Sequence, residues 1–416
     1  MNIALISNEF PFEFHGGGIG TFMGQKARLL VNRGHHVEVF CSSKKTNPNS
    51  YEKDGIVIHP VPLSEPELFR EKVLPYFEKR IQEQSFDIIE GPDYRADSLK
   101  IREKYPYIPH MIKLHGPNFW IQKLSRPQPS IFRVIRYRLG GLRRGKWEKK
   151  PFWKYYKELD PEYQISQLCP IILHPSELIK NMVIREWGLE NQNFIHVPNP
   201  FIPSQNFLSI PINNKKTNAP SITFIGSLYK LKGIVELCEA MPYIFEQYPN
   251  AALNIVGTSL MYWELKMEMH EFIKRELAPY KSQLNFTGQV SYEKISDYLA
   301  KTDICIFPSL WDNFPTVCLE AMSAGRAIVG SQISGMKEML TDDCGILVNP
   351  HEPKEMAKAI IKLIKNPDLR DKLGQNARKK VLEKYNQEVI GQQAEEAYQK
   401  VINHWSKCIK QHSVLL

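Results

Sequence analysis

The sequence predicts an α/β protein of two doubly wound, Rossmann-like domains facing across a cleft. Three observations carry that expectation. Strand-like apolar runs alternate with helix-like amphipathic segments along most of the chain, the pattern of parallel sheets covered by helices. The alternation stops over residues 198–220 (PNPFIPSQNFLSIPINNKKTNAP), a Pro-, Asn- and Ser-rich stretch that reads as a connector. The length, 416 residues, exceeds what one ordinary core serves. The expected division is a first domain over 1–200, a linker over 201–220, a second domain over 221–385 and a terminal helix over 386–416.

In the first series NIALIS reads as a strand. TFMGQKARLLVNRG has helical apolar spacing and stops at Gly34, a residue suited to a helix C-terminus. HVEVF and IVIHPV are strands, and FREKVLPYFEKRIQEQ is a helix with Pro75 as an expected kink. FDIIE, HMIKLHG, CPIILHPS and NFIHVPNP close the series. The second series runs SITFIGS (strand), GIVELCEAMPYIFEQYP (helix), AALNIVG (strand), KISDYLAKT (helix), DICIFPS (strand), TVCLEAMSAG (helix) and AIVGS (strand). EMAKAIIKLIKNP, LRDKLGQNARKKVLEKY and a long polar segment from about residue 386 to 406 read as helices. In open α/β sheets ligands bind beyond the carboxyl ends of the strands, so the cleft between two such domains is the expected site.

Composition narrows the function. No apolar run is long enough to span a bilayer, and MNIALISNEF reads as a first strand and not as a signal peptide, so the expected compartment is the cytoplasm. The seven Cys are scattered and form no CxxC pair, which argues against a zinc site or a disulfide framework. The net charge of +9 favours anionic partners. No zinc-finger, RRM or basic–heptad pattern accompanies it, so nucleic acid ranks last among them.

Five segments that follow or end strands carry polar groups suited to a ligand. NEFPFEFHGGGIGTF supplies Gly16, Gly17, Gly18 and Gly20 before a helix, where bare backbone approaches a ligand closely. It fits a dinucleotide fingerprint poorly: the third Gly is missing and no acid ends HVEVF. IIEGPDYRAD and KLHGPNFW bring Glu90, Asp93, Tyr94 and His115 to strand ends; turn formation or a structural His explains each of them equally. FIGSLYKLKG sets Lys232 beside a helix N-terminus, charge plus free amides, as a phosphate site requires; alone it reads as a loop lysine. SLWDNFPTVCLEAMSAG places Asp312 in a loop, Pro315 at a helix start and Glu320 inside the helix. Asp312 suits an N-cap. Glu320 lies among apolar residues, where an unpaired carboxylate is costly unless ligand hydroxyls bond it.

Together these segments resemble the retaining group 1, or family 4, glycosyltransferases of the two-Rossmann-domain (GT-B) type. GSLYKLKG, the run from FTGQVSYEK to GMKEML, and CGILVNPHEP resemble the family's second half; GGGIGTF, NRGHHVEVF, LHGPN and VPNP follow in order in the first. The resemblance implies transfer of a hexosyl-type unit from a nucleotide-diphosphate sugar to an acceptor hydroxyl without a resident cofactor or metal. It implies that Lys232 meets the diphosphate, Glu320 the ribose, and Asp312, with Asn313, Phe314, Pro315 and Thr316, the donor sugar. Gly226, Ser227 and Val290 would complete the donor site, with Val290 near the base. His115, Gly17, Gly18 and Gly20 would approach from the first domain, and Glu90, Asp93 and Tyr94 would face the acceptor. The terminal helix would return to the first domain. Two positions depart from the family pattern: Asp312 replaces Glu, and Ser227 stands where Arg is frequent.

Residues 133–157 (RVIRYRLGGLRRGKWEKKPFWKYYK) hold ten basic residues and interleaved aromatics. They read as a solvated excursion, a dock for anionic lipid, or a wall for an acidic glycan. The expected partners are therefore a nucleotide sugar, a glycan or lipid-linked acceptor and an anionic membrane surface, the last implying a peripheral position on the inner face of the membrane. A nucleotide-sugar epimerase or hydrolase, or a silent glycan-binding subunit, are the competing readings.

Overall fold

The computed structural model describes residues 1–13, 17–63, 65–125, 131–143, 155–212, 219–341 and 343–413. The first sheet contains β1 (Asn2–Ile6), β2 (His36–Ser43), β3 (Tyr51–Lys53), β4 (Ile56–Pro62), β5 (Ile88–Pro92), β6 (His110–Lys113), β7 (Ile171–His174) and β8 (Asn193–His196). Their order is β3-β4-β2-β1-β5-β6-β7-β8, parallel throughout except for β3. Its helices are α1 (Gly18–Asn32), α2 (Phe69–Ile81), α3 (Leu99–Lys104), α4 (Asn118–Ser125), α5 (Ile131–Arg143), α6 (Pro161–Leu168) and α7 (Glu177–Trp187). β1 and β5 are buried almost throughout, as strands covered by helices on both faces must be. Pro75 sits inside α2 without breaking it. The edge strand β3 has no apolar run of its own. It forms because Asp54 and Gly55, both at positive φ, close a two-residue hairpin.

The second domain begins with α8 (Gln205–Leu208) and contains β9 (Ser221–Ile225), β10 (Ala252–Val256), the ribbon β11 (Met261–Tyr262) and β12 (Met267–Glu268), β13 (Leu284–Gly288), β14 (Ile304–Phe307), β15 (Ala327–Ser331) and β16 (Ile346–Val348). Its main sheet has the order β13-β10-β9-β14-β15-β16, all parallel. The remaining helices are α9 (Ile234–Phe245), α10 (Met269–Glu276), α11 (Ile295–Ala300), α12 (Thr316–Ser323), α13 (Met336–Met339), α14 (Pro353–Lys365), α15 (Pro367–Lys384) and α16 (Gln387–Ser413). The expected pair of doubly wound units is thus present. The stretch read as a polar connector is not slack where it is described: Phe201, Phe207 and Ile210 are buried in the second domain's core.

Each sheet reverses its winding direction once. In the first, β2 and β4 lie to one side of β1, and β5 follows on the other. In the second, β10 and β13 lie to one side of β9, and β14 follows on the other. Loops on either side of such a switch diverge and leave a crevice. The helix α16 crosses back to the first sheet, where Ile390, Ala397, Tyr398, Val401 and Trp405 share a core with Ile3, Leu5 and Val37. Arg33, which caps the end of α1, grips Glu395 through two nitrogens (2.9 and 2.8 Å).

Candidate active site in the interdomain cleft

The second domain's switch point puts the loop after β9 beside the loop after β14. Gly233, at φ +72°, ends the first loop and caps α9; a Cβ there would lie 1.9 Å from the Pro308 carbonyl oxygen, so only glycine lets the two loops touch. The amides of Leu310 and Trp311 both donate to the Leu231 carbonyl (2.8 and 3.3 Å), pinning the loops together. Lys232 Nζ then donates to Asp312 Oδ2 at 2.5 Å. Burial works against the lysine's charge, but the carboxylate more than offsets it and raises the ammonium above its ordinary value. Two N–H bonds of Lys232 and the second oxygen of Asp312 are left for other partners.

Eight residues on, in α12, Glu320 is 5% exposed. No hydrogen-bond donor meets its carboxylate among the described residues, and burial pushes its pKa up to about 7. Tyr292 stands near enough that Glu320 adds to the upward shift of its phenol. Gly226 and Gly257, both at φ +145°, end β9 and β10 back to back; a Cβ on Gly257 would meet the Gly226 carbonyl at 2.0 Å. Ser227 is exposed, and Val290 packs half-buried against the core beneath α12.

Across the cleft, His115 follows β6. Asp93 accepts from its backbone amide (2.6 Å) and, at longer range, from that of Gly116 (3.4 Å). Glu162 accepts from the amides of Arg95 and Asn118 (2.7 Å each), tying the β5 loop to the start of α4. The imidazole of His115 packs edge-on to Phe22 of α1 (4.6 Å between centroids), and its Nε2 is buried without a partner. Burial, then the charges of Lys113 and Lys26, lower its pKa to about 3, so the ring is neutral at physiological pH. Open space surrounds Gly17 and Gly18, while the amide of Gly20 is taken by Glu9 (3.2 Å).

The two walls are joined. Asn313 Nδ2 donates to the carbonyls of Leu114 and His115 (3.3 Å each), and Ser176 Oγ donates to Asn313 Oδ1 (2.7 Å). Glu338 accepts from the Glu177 amide at the start of α7 (2.8 Å). The indole of Trp311 rests on Gly116, where a Cβ would fall 2.5 Å from its ring. The loop that carries Asp312, bonded to Lys232, is thus joined through Asn313 to the loop that carries His115, and Glu320 follows in α12.

Several residues singled out by sequence do other work. Glu90, expected on the acceptor side, is wholly buried; Tyr398 of α16 donates to it at 2.5 Å and Lys26 lies 3.3 Å away. Asp93 is also fully buried and holds the His115 loop. Tyr94 is half-buried, with the Arg95 guanidinium over its ring. The side chain of Asn313 is spent on the first domain and that of Phe314 on Tyr385 (5.5 Å), and Pro315 is buried at the α12 cap, so these side chains are committed within the protein. Lys230, two residues before Lys232, is paired with Glu264 (2.6 Å). Gly16 and residues 144–154 of the basic segment lie outside the described residues. Trp311, Tyr292 and Ser176 lie within quoted segments but no local signal marks them; the folded loops bring Trp311 and Ser176 to the contact between the domains and Tyr292 near Glu320.

Comparison with known proteins agrees with this fold. Residues 207–380 match the family described as glycosyl transferases group 1, and residues 16–205 match Glycosyltransferase Family 4. An uncharacterized glycosyltransferase of Methanocaldococcus jannaschii is 31% identical over 178 residues, 42% of this chain and 44% of that protein, so the chain spans less than half the length of this relative. The MMP alpha-(1->4)-mannosyltransferase of Mycolicibacterium hassiacum is 22% identical, with 98% of this chain and 100% of that one covered. Among solved structures, sucrose-phosphate synthase from Thermosynechococcus elongatus superposes with a TM-score of 0.71 at 19% identity, covering 97% and 100% of the two chains, a likeness of fold. Matched in both halves, with a lysine and two acids gathered at the second domain's switch point, the chain belongs to the group 1, family 4 glycosyltransferases and has their GT-B fold.

Proposed function

We propose that the protein transfers a hexosyl-type unit from a nucleotide-diphosphate sugar to an acceptor hydroxyl, with retention and without a resident metal. The observation that carries this reading is Glu320: a buried carboxylate without a donor, in the helix that follows the Lys232–Asp312 pair. A ribose diol supplies two O–H donors and removes the cost of burying that charge. Lys232 then meets the diphosphate with its remaining N–H bonds and stabilises it as it leaves. Asp312 steadies Lys232 through one oxygen and offers the other to the sugar. The bond from the anomeric carbon to phosphate breaks, the bond to the acceptor oxygen forms on the same face, and the acceptor proton passes to the departing phosphate oxygen. His115, neutral, orients the sugar and is not required as a base.

The test is thermal denaturation with UDP, GDP, ADP and CDP and then their sugars; the matching nucleotide raises the midpoint because it binds only the folded chain. Glu320→Ala abolishes that rise and the transfer at ordinary donor concentration; turnover near wild type would remove the assignment. Nucleoside diphosphate released only when acceptor is present separates transfer from hydrolysis, epimerisation or a silent binding subunit.

The acceptor is proposed to be a glycan or lipid-linked glycan at a membrane's inner face. No helix among the described residues is long and apolar enough to cross a bilayer. Helix α5, however, exposes Ile131 (76%), Phe132 (85%), Ile135 and Leu139, and carries Arg136, Arg138 and Arg143. Apolar residues beside arginines suit the surface of an anionic bilayer, where each basic residue contributes roughly 1 kcal/mol. Co-sedimentation with phosphatidylglycerol vesicles, lost in Phe132→Ser/Ile135→Ser, tests this; binding indifferent to anionic lipid sinks it.

A further inference from the structure

The ribbon β11–β12 is built onto the loop that carries Lys232. Leu228 donates to the Thr258 carbonyl (2.8 Å) and accepts from the Leu260 amide (3.0 Å). Glu264 in the turn of the ribbon pairs with Lys230 (2.6 Å), and Ser259 Oγ donates to Glu268 (2.9 Å). Side chains alternate between the two faces of a strand. The cross-strand partners Tyr262 and Met267 pack on the second domain's core, Tyr262 edge-on to Phe272 (5.1 Å). Leu260, Met261, Trp263 and Leu265 are left exposed, Trp263 by 66%. A hairpin fixed at its base thus presents four large apolar side chains together, a grouping that marks a contact surface.

The chemistry of the tip selects the partner. Glu264 is the one acid of the turn 263–266, and Lys230 neutralises it. Lys266, exposed and at φ +52°, forms no ion pair among the described residues, so the turn carries a net positive charge. Indole, leucine and an unpaired lysine suit the boundary of an anionic bilayer. The indole lies at headgroup depth, the leucine enters the acyl boundary and the ammonium meets lipid phosphate. A glycan is a poorer match, since Leu260, Met261 and Leu265 offer its hydroxyls no donor. The first domain reaches the same place. Helix α4 lies against the turn Lys230–Lys232, and the chain passes from α4 to α5, whose exposed Phe132 and Ile135 share that helix with arginines.

We propose that the ribbon tip, residues 261–266, is a second membrane contact, carried by the second domain, and that its partner is an anionic phospholipid surface. This rests on the reading of α5 as the first such contact. Two contacts on one chain reinforce each other, because seating one raises the effective concentration of bilayer at the other. With a contact on each domain the mouth of the cleft lies at the lipid surface, where an acceptor carried on a lipid reaches the donor without leaving the bilayer.

The test is co-sedimentation of the full chain with phosphatidylglycerol vesicles, for wild type, Trp263→Ser/Leu265→Ser and Phe132→Ser/Ile135→Ser, with gel filtration beside it. All four replaced side chains are exposed, so thermal midpoints should stay at the wild-type value. The ribbon variant should bind vesicles at least about tenfold more weakly, as two large apolar side chains leave the lipid, while its nucleotide affinity is unchanged. Full binding by the ribbon variant, together with loss in the α5 variant, overturns this inference and leaves the α5 contact standing. A wild type that ignores the vesicles removes the membrane reading and this inference with it. A dimer that the ribbon variant splits, with vesicle binding intact, assigns the patch to a second copy of the chain and likewise overturns the proposal.

Discussion

At Glu320 a single carboxylate sets stability against function. Its pKa of about 7 lies above the ordinary 4.5 because burial disfavours the charge. Below pH 4.5 it is protonated in the folded and unfolded chain alike and costs nothing. Between 4.5 and 7 the unfolded chain gives up the proton first, so stability falls as pH rises. Above 7 the cost is complete, about 3 kcal/mol. Glu320→Gln should therefore raise the thermal midpoint at pH 8, with the gain fading towards pH 4.5, while losing the nucleotide response. A gain of equal size at both pH values would show that the charge is not the cause. Gly233 is the steric counterpart: Gly233→Ala drives a Cβ against the Pro308 carbonyl at positive φ. More than about 2 kcal/mol of stability should go, read by urea unfolding.

At the scale of elements, the same strand-end acids serve different ends, and this is where sequence reasoning failed. Glu90 lies within β5, and Asp312 follows β14; both stand beside apolar runs. One ends in the cleft; the other lies under α16, a helix almost three hundred residues further along. Tyr398→Phe removes the hydrogen bond from α16 to Glu90 and leaves Lys26 as that carboxylate's neighbour. It should destabilise the first domain by about 1–3 kcal/mol without changing nucleotide affinity in the second. Urea unfolding set beside titration separates the two. Asp93 shows another failure of the same kind. It was read as facing the acceptor, and it binds the amides that shape the His115 turn.

For the whole molecule, the acid-bearing loop of the second domain is also its handle on the first. Asn313 reaches Leu114, His115 and Ser176, so the residue beside Asp312 couples donor loop to histidine loop. Asn313→Ala deletes these bonds and leaves both cores untouched. Its radius of gyration by solution scattering should rise in the ligand-free protein and return towards wild type with bound nucleotide. An unchanged radius would mean that Trp311, Glu338 and α16 hold the domains by themselves.

What the sequence determined by itself was whatever is written in local periodicity and local charge. That covers the alternation of strands and helices, the break near residue 200, the placing of Lys232 and Asp312 in loops after apolar strands, and that of Glu320 in the following helix. Strand order and burial are not local. The hairpin strand β3, the buried phenylalanines of the connector, the removal of Glu90 from the cleft and the unpaired nitrogens of Trp311 and His115 depend on residues tens to hundreds of positions apart. An acid beside such a strand pairs with a loop lysine, as Asp312 does, or with a buried tyrosine and lysine, as Glu90 does, according to which distant element meets it. The energy of a carboxylate depends on its neighbours in space, and only the tertiary structure supplies them.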